Sequence, residues 1–435
     1  MMIQGTATSY IDLAQDILAT ATNNGVSAVA INSGTAVTGA YVKGDILTVA
    51  GGTTTGPGAA TLEVTAVSGG NITGVKVKMS GAYSVNPTTT ANAVTGGSGT
   101  GATMDLTMLA YGWTQDRDTA YSGSDREIIL HGNGAGSDEI YVGIRTYNDT
   151  VVFNWELAGF TGYNAVLTWA NQPGISLGRS DQSDVTGGAF VAMASTAAQS
   201  LTYWVHIDSY AIVGVARNGT SYQSFYLGWL NPFGTASEFT YPLCIAGNTS
   251  DPDQAFNDTD IFNSGISDPI NHSGETDSGP MLYRNGSGTW ETYMNGHSSR
   301  IAVRNRVTFP TGNAKTDTHV GGTILEQDLT FQNDYTFSSS TTGDIIPQSA
   351  NPGIATYTLA QTPDSGGDQS SLWPITLINW EDGTGLQGEL RGVYWVHNDG
   401  GIVPEDDFRI SGVDYRVFQA GTRSNNWSLW VLKEN

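Results

Sequence analysis

The chain has 435 residues, a formal net charge of −23 and a single cysteine. That charge repels phosphate backbones and argues against nucleic acid as a partner, and one cysteine builds neither a disulfide framework nor a thiolate zinc site. Charged residues make up only 14% of the chain, but 11 Trp, 19 Tyr and 13 Phe need burial, which excludes a disordered chain and describes a folded protein with many turns.

The first predicted element is a helix. Tyr10, Leu13, Ala14, Ile17, Leu18 and Ala21 recur at the spacing of one helical face. Ser9 with Asp12 resembles a capping box, and Asn23-Asn-Gly25 supplies a stop. The stretch from Ile17 to Val42 carries no charge, but its Thr, Asn, Ser and Gly content keeps it out of lipid. Met1 to Thr8 has neither the basic nor the apolar region of a secretion signal.

From Ala40 onward, short alternating runs follow one another between glycine clusters. Asp45–Val49, Ala60–Ala66 and Gly74–Met79 read as strands, with Ser68-Gly-Gly-Asn71 as the turn of a hairpin. Further runs are Glu139–Arg145, Val151–Leu157, Leu201–Ile207, Ala211–Ala216 and Tyr222–Leu230, with Asn218-Gly219 marking a second hairpin. A third joins Met281–Arg284 to Thr289–Met294, and Ile375–Trp380, Gly392–Val396, Tyr415–Phe418 and Trp427–Leu432 close the series. The expected fold class is mainly β: antiparallel β-sandwich domains with a short N-terminal helix and an inserted small β module. The divisions fall at residues 1–39 (helix and lead-in), 40–110 (glycine-rich β module) and 111–310 (central sandwich). Residues 311–370 read as a linker or extended arm, and 371–435 as a C-terminal β segment placed to complete the central sandwich.

Chemistry finds little purchase. Gly174-Ile-Ser-Leu-Gly178 matches the nucleophile-elbow expression, but Pro173 precedes it and no helical periodicity follows, so Ser176 is not expected to be catalytic. The histidines (His131, His206, His272, His297, His319 and His397) are scattered singly, without the i, i+4 spacing of a zinc helix. The acidic stretch from Asp251 to Asp277 lacks the glycine and terminal Glu of a calcium loop and reads as solvated. A glycosidase needs two facing carboxylates; Glu156, Glu291, Glu381 and Asp382 sit near aromatics, and Glu156 and Glu291 are each flanked by Trp, a pattern found both in sugar sites and on ordinary sheet surfaces. Cys244 between apolar neighbours reads as a buried small hydrophobe. No catalytic, cofactor-binding or metal residues are expected, and no cofactor.

Three regions carry a resemblance. Tyr41-Val-Lys-Gly-Asp-Ile-Leu-Thr48, followed by Val64–Gly74 and Gly96-Gly-Ser-Gly-Thr-Gly-Ala-Thr103, resembles a β module that recurs in phage tail and fibre proteins. The span from Asp125 to Gly174, and the C-terminal Gly388–Val396 with Ile410–Phe418, are similar to phage virion structural proteins. The resemblance implies a structural subunit of a tailed-bacteriophage particle, from the tail, baseplate or neck, made in the host cytoplasm and located in the virion. Its partners would be other virion proteins and copies of itself, with no nucleic acid, no membrane insertion and no enzymatic activity. The alternative is a receptor-binding or decoration protein recognising host glycans; a polysaccharide depolymerase using Glu156 or Glu291 is the third.

Overall fold

The computed structural model describes residues 1–120, 122–134, 139–148, 152–176, 189–232, 243–247, 281–284, 290–293, 299–303, 372–379, 385–397, 404–410, 413–419 and 428–434. The acidic stretch 251–277 and the arm at 311–370 lie outside these residues. Among the described residues the fold is mainly β, built of antiparallel sheets with one α-helix, as the alternating runs lead one to expect.

The helix is Tyr10–Ala21. The Ser9 side chain accepts from the Asp12 amide at 3.0 Å, satisfying one of the orphan donors of the first turn. Its apolar face, from Tyr10 to Ala21, is buried against the protein's own sheets. Ser9→Ala is expected to reduce stability by about 1 kcal/mol in urea denaturation. An unchanged midpoint would mean that Leu13 and Ile17 fix the helix without the cap.

The module is a small sheet wrapped around a core that includes Leu47, Val49, Leu62, Val64, Ile72 and Met104. It begins before residue 40, because Asn24–Ser33 pairs along Thr103–Ala110, with Asn24 opposite Ala110. Entry and exit are therefore adjacent. Thr61–Ser68 and Asn71–Met79 form the expected hairpin, closed by Gly69 and Gly70 at φ +59° and +82°. Only a two-glycine or Asn-Gly type turn supplies both positive φ values cheaply.

Beside the module lie three sheets. The front sheet is a meander of Trp113–Ala120, Arg126–Gly132, Ile140–Asn148, Phe153–Phe160 and Ala189–Ala194. The middle sheet takes Met2–Ala7 as its first strand, then Leu201–Ile207, Ala211–Asn218, Ser221–Trp229, Leu243–Ala246, Met281–Arg284 and Trp290–Tyr293. The back sheet runs Ser299–Val303, Leu372–Asn379, Gly385–His397, Ser428–Lys433, Val413–Gln419 and Asp407–Ile410, and Asn231–Pro232 pairs onto it.

Alternation decides which side chain meets which layer. Tyr203, Val205, Ile207, Ile212, Phe225 and Leu227 of the middle sheet share one core with Ile128, Leu130, Val142, Trp155 and Leu157 of the front sheet. Their neighbours face the other way: Trp204 lies 5.3 Å from Phe418 of the back sheet, and Tyr222 6.0 Å from the same ring. The middle sheet is thus covered on both faces. This explains why Ala211–Asn218 and Ser221–Trp229 are buried almost throughout rather than at alternate positions. No helix among the described residues is long and apolar enough to cross a membrane.

Candidate functional site

Glu156 is one of the two Trp-flanked carboxylates of the sequence, and strand register decides its fate. It lies directly opposite Arg145, which in turn lies opposite Glu127, on the face of the front sheet turned away from the middle sheet. Arg145 Nε donates to Glu156 Oε2 at 2.8 Å, Arg145 Nη2 bonds the same oxygen, and Trp169 Nε1 donates to Oε1 at 3.1 Å. Arg117 extends the chain by donating to Glu127 at 3.0 Å. The four charges cancel in pairs. The cover is the segment after Phe160, whose short 3-10 turn Trp169–Asn171 sets the indole over the Arg145 guanidinium at 5.5 Å. Gly143 makes the room: a Cβ there would sit 2.6 Å from the Trp169 ring.

A glycosidase carboxylate must reach a glycosidic oxygen or anomeric carbon across an open cleft. Glu156 is fully buried with both oxygens engaged, so it is an element of packing. Glu291 stands on the last strand of the middle sheet, opposite Tyr283. Glu381 and Asp382 lie outside the described residues.

Ser176 is buried as well. Its Oγ accepts from the Gly159 amide at 3.1 Å and its own amide donates to the Gly159 carbonyl at 2.8 Å. This two-way contact fastens the cover segment to the end of its parent strand. Leu177 and Gly178, the rest of the Gly174–Gly178 motif, lie outside the described residues. Cys244 is buried, and burial pushes its thiol well above its ordinary pKa, which keeps it protonated and unreactive.

The described histidines do not gather. His131 Nδ1 lies 2.9 Å from Asp116 on the front sheet, and His206 lies between the middle and back sheets. His272, His297 and His319 are outside the described residues. Among the described residues no group of three His, Cys, Asp or Glu side chains has a metal-holding arrangement.

His206 is an acid-sensitive joint. Its Nδ1 donates to the Lys433 carbonyl at 2.8 Å, because a carbonyl can only accept, and burial holds the imidazole down at about 4. A folded pKa below the unfolded value contributes stability above roughly pH 6.5 that is lost as pH falls toward the folded value. Glu434 opposes it. Burial and neighbouring Asp407 push its carboxyl up to about 7 against the pull of Lys78 and Arg416, so it favours the folded state as pH falls through that value. The two contributions offset each other in one window. In Glu434→Gln, stability should therefore fall by roughly 3 kcal/mol more between about pH 7 and pH 4 than it does in the unmodified chain. Urea midpoints across that range measure it; equal slopes in both chains would contradict the assignment.

Two groupings not foreseen in the sequence tie the layers together. Lys76 of the module bonds Asp414 at 3.0 Å and Glu63 at 3.3 Å, and Lys78 pairs with Asp407, which Arg416 also contacts at 2.6 Å. The scarcity of lysine, with two of them on one hairpin strand facing an acidic chain, was the available signal. Arg217 and Tyr222 of the middle sheet both hold Glu405, which sits in the left-handed region at φ +73°. A non-glycine residue is held there by its surroundings.

The motifs of the module also meet. Asp45 of Gly44-Asp-Ile-Leu-Thr48 accepts from the Ser98 amide at 3.0 Å, from Ser98 Oγ at 2.9 Å and from the Val42 amide at 2.9 Å. Those amides hold its carboxyl below the usual carboxylate range. Tyr41 OH accepts from the Ala102 amide at 3.1 Å. No family model matches the chain, and no curated protein matches it.

Proposed function

We propose that the chain is a structural subunit of a tailed-bacteriophage particle, placed in the tail, baseplate or neck, which works by symmetric assembly and carries out no chemistry. One observation carries the reading. The two motifs that resemble the recurring phage β module, Gly44–Thr48 and Gly96–Thr103, are joined by Asp45 into a single turn cluster. Their resemblance therefore extends to one folded unit rather than to unrelated short matches. The adjacent entry and exit of the module, Asn24 opposite Ala110, let such a unit be inserted into a larger fold without rearranging it.

The side chains that favoured an enzyme in the sequence support the same reading. Glu156 and Ser176 bind groups of their own chain and close their cover segment over the sheet. The acidic exterior keeps newly made copies apart until specific contacts form. Mass spectrometry of gradient-purified particles whose genome encodes the chain should find it in stoichiometric amount. Its absence from such particles, with other tail proteins recovered, would remove the proposal. Release of reducing ends from host polysaccharide by the isolated chain would replace it with the depolymerase reading.

A further inference from the structure

We infer that the free end of the small β module is the surface by which one copy of this chain docks on a second copy. The charge distribution points there first. Residues 24–110 hold Lys43, Lys76 and Lys78 against Asp45, Glu63 and Asp105, a net charge of zero, so the whole excess of −23 belongs to the rest of the chain. Two acidic bodies repel wherever they approach each other. The module is the part that two copies can bring together without that cost.

The strands of the module run from the joints at Asn24 and Ala110 toward one distant end. There the loops 34–45, 69–70 and 97–102 are laced together by Val37 N to Thr100 O at 2.7 Å, Tyr41 N to Gly70 O at 2.9 Å and the Asp45–Ser98 bonds. These loops contain only two charged residues, Lys43 and Asp45, and Asp45 already accepts three hydrogen bonds within the tip. The same end exposes four apolar side chains, Val37 at 77%, Val42 at 50%, Ile46 at 44% and Val67 beside them on the hairpin, while Val85 and Leu109 are exposed near the joints. Among the described residues, Val166 is the one exposed bulky aliphatic side chain outside the module. Four of the module's six exposed bulky aliphatic groups thus cluster at the tip, and such a cluster marks a contact surface.

A second copy fits this surface better than a different partner does. In a two-fold contact each residue near the axis meets its own counterpart, so any net charge would face itself. A neutral, aliphatic, glycine-rich tip avoids that. A basic partner, by contrast, would be drawn to the acidic body and away from the tip. The inference deepens the assembly reading, since it names the surface through which copies associate.

Sedimentation velocity of the full chain over a wide range of concentration and salt tests it. The unmodified chain should associate, more strongly as added salt screens the acidic bodies. Val37→Asp with Val42→Asp should weaken association about tenfold or more, while Val166→Asp leaves it unchanged. Val37→Thr with Val42→Thr, which keeps shape and removes only the apolar surface, should weaken it in the same direction if the aspartates disturb the fold. Association that ignores both pairs of tip variants, or a chain that stays monomeric at every concentration and salt, overturns the inference. Absence from purified particles would remove the virion reading and leave tip-dependent association standing. A particle-borne chain whose association ignores the tip overturns this inference alone.

Discussion

Glu156→Gln should lower the free energy of unfolding by about 3–5 kcal/mol, the cost of removing the charge that lies closest to a buried cation. Arg145 is 4% exposed and depends on Glu156 for its closest carboxylate contact. Glu127 lies 4.0 Å away and already serves Arg117. Arg145→Met combined with Glu156→Leu should recover most of the loss, since a well-packed apolar pair avoids the desolvation of both charges. Trp169 donates to Glu156, so its fluorescence reports on the network during urea denaturation. A Gln variant as stable as the parent would mean that water reaches the pair, and would reopen Glu156 as a chemical group.

Trp155→Ala should cost about 3–5 kcal/mol, because it empties the centre of the contact between front and middle sheets. The side chain is fully buried, meets Phe225 of the middle sheet edge-on at 5.4 Å, and donates from Nε1 to the Tyr10 carbonyl at 2.9 Å. It therefore joins the helix and both sheets. Trp155→Phe keeps a ring in the core and removes the hydrogen bond, so it should lose less, with about 1 kcal/mol attributable to that bond. Guanidinium denaturation of the three chains gives the ranking. Equal stability of parent and Ala variant would contradict the packing of these two sheets.

Much of the local structure was legible because its causes are local. Ser9, Asp12 and the apolar spacing from Tyr10 specify the helix, and Ser68–Asn71 and Asn218-Gly219 specify two hairpins through the backbone angles that they tolerate. The strand Asn24–Ser33 was less legible. Its small residues alternate weakly, and its partner Thr103–Ala110 is remote in sequence. The third layer had a signal in the unbroken apolar runs Ala211–Ala216 and Phe225–Leu230, which need cover on both faces. What supplies that cover, Phe418 against Trp204 and Tyr222, comes from a segment nearly two hundred residues later. Glu156 shows the limit most plainly. A Trp before it looks like a sugar site, and only the register that sets Arg145 opposite reveals a buried ion pair.

Charge placement was half visible. The sequence locates three lysines in the module, but not that Lys76 and Lys78 reach the C-terminal carboxylates Asp414 and Asp407. Those contacts fix one side of the module to the back sheet.

Immunogold electron microscopy of intact particles whose genome encodes the chain tests the structural reading most directly. With an antibody to the full chain, label concentrated at the neck, tail shaft or baseplate is the predicted result. Particles that remain unlabelled both intact and after disruption would contradict it.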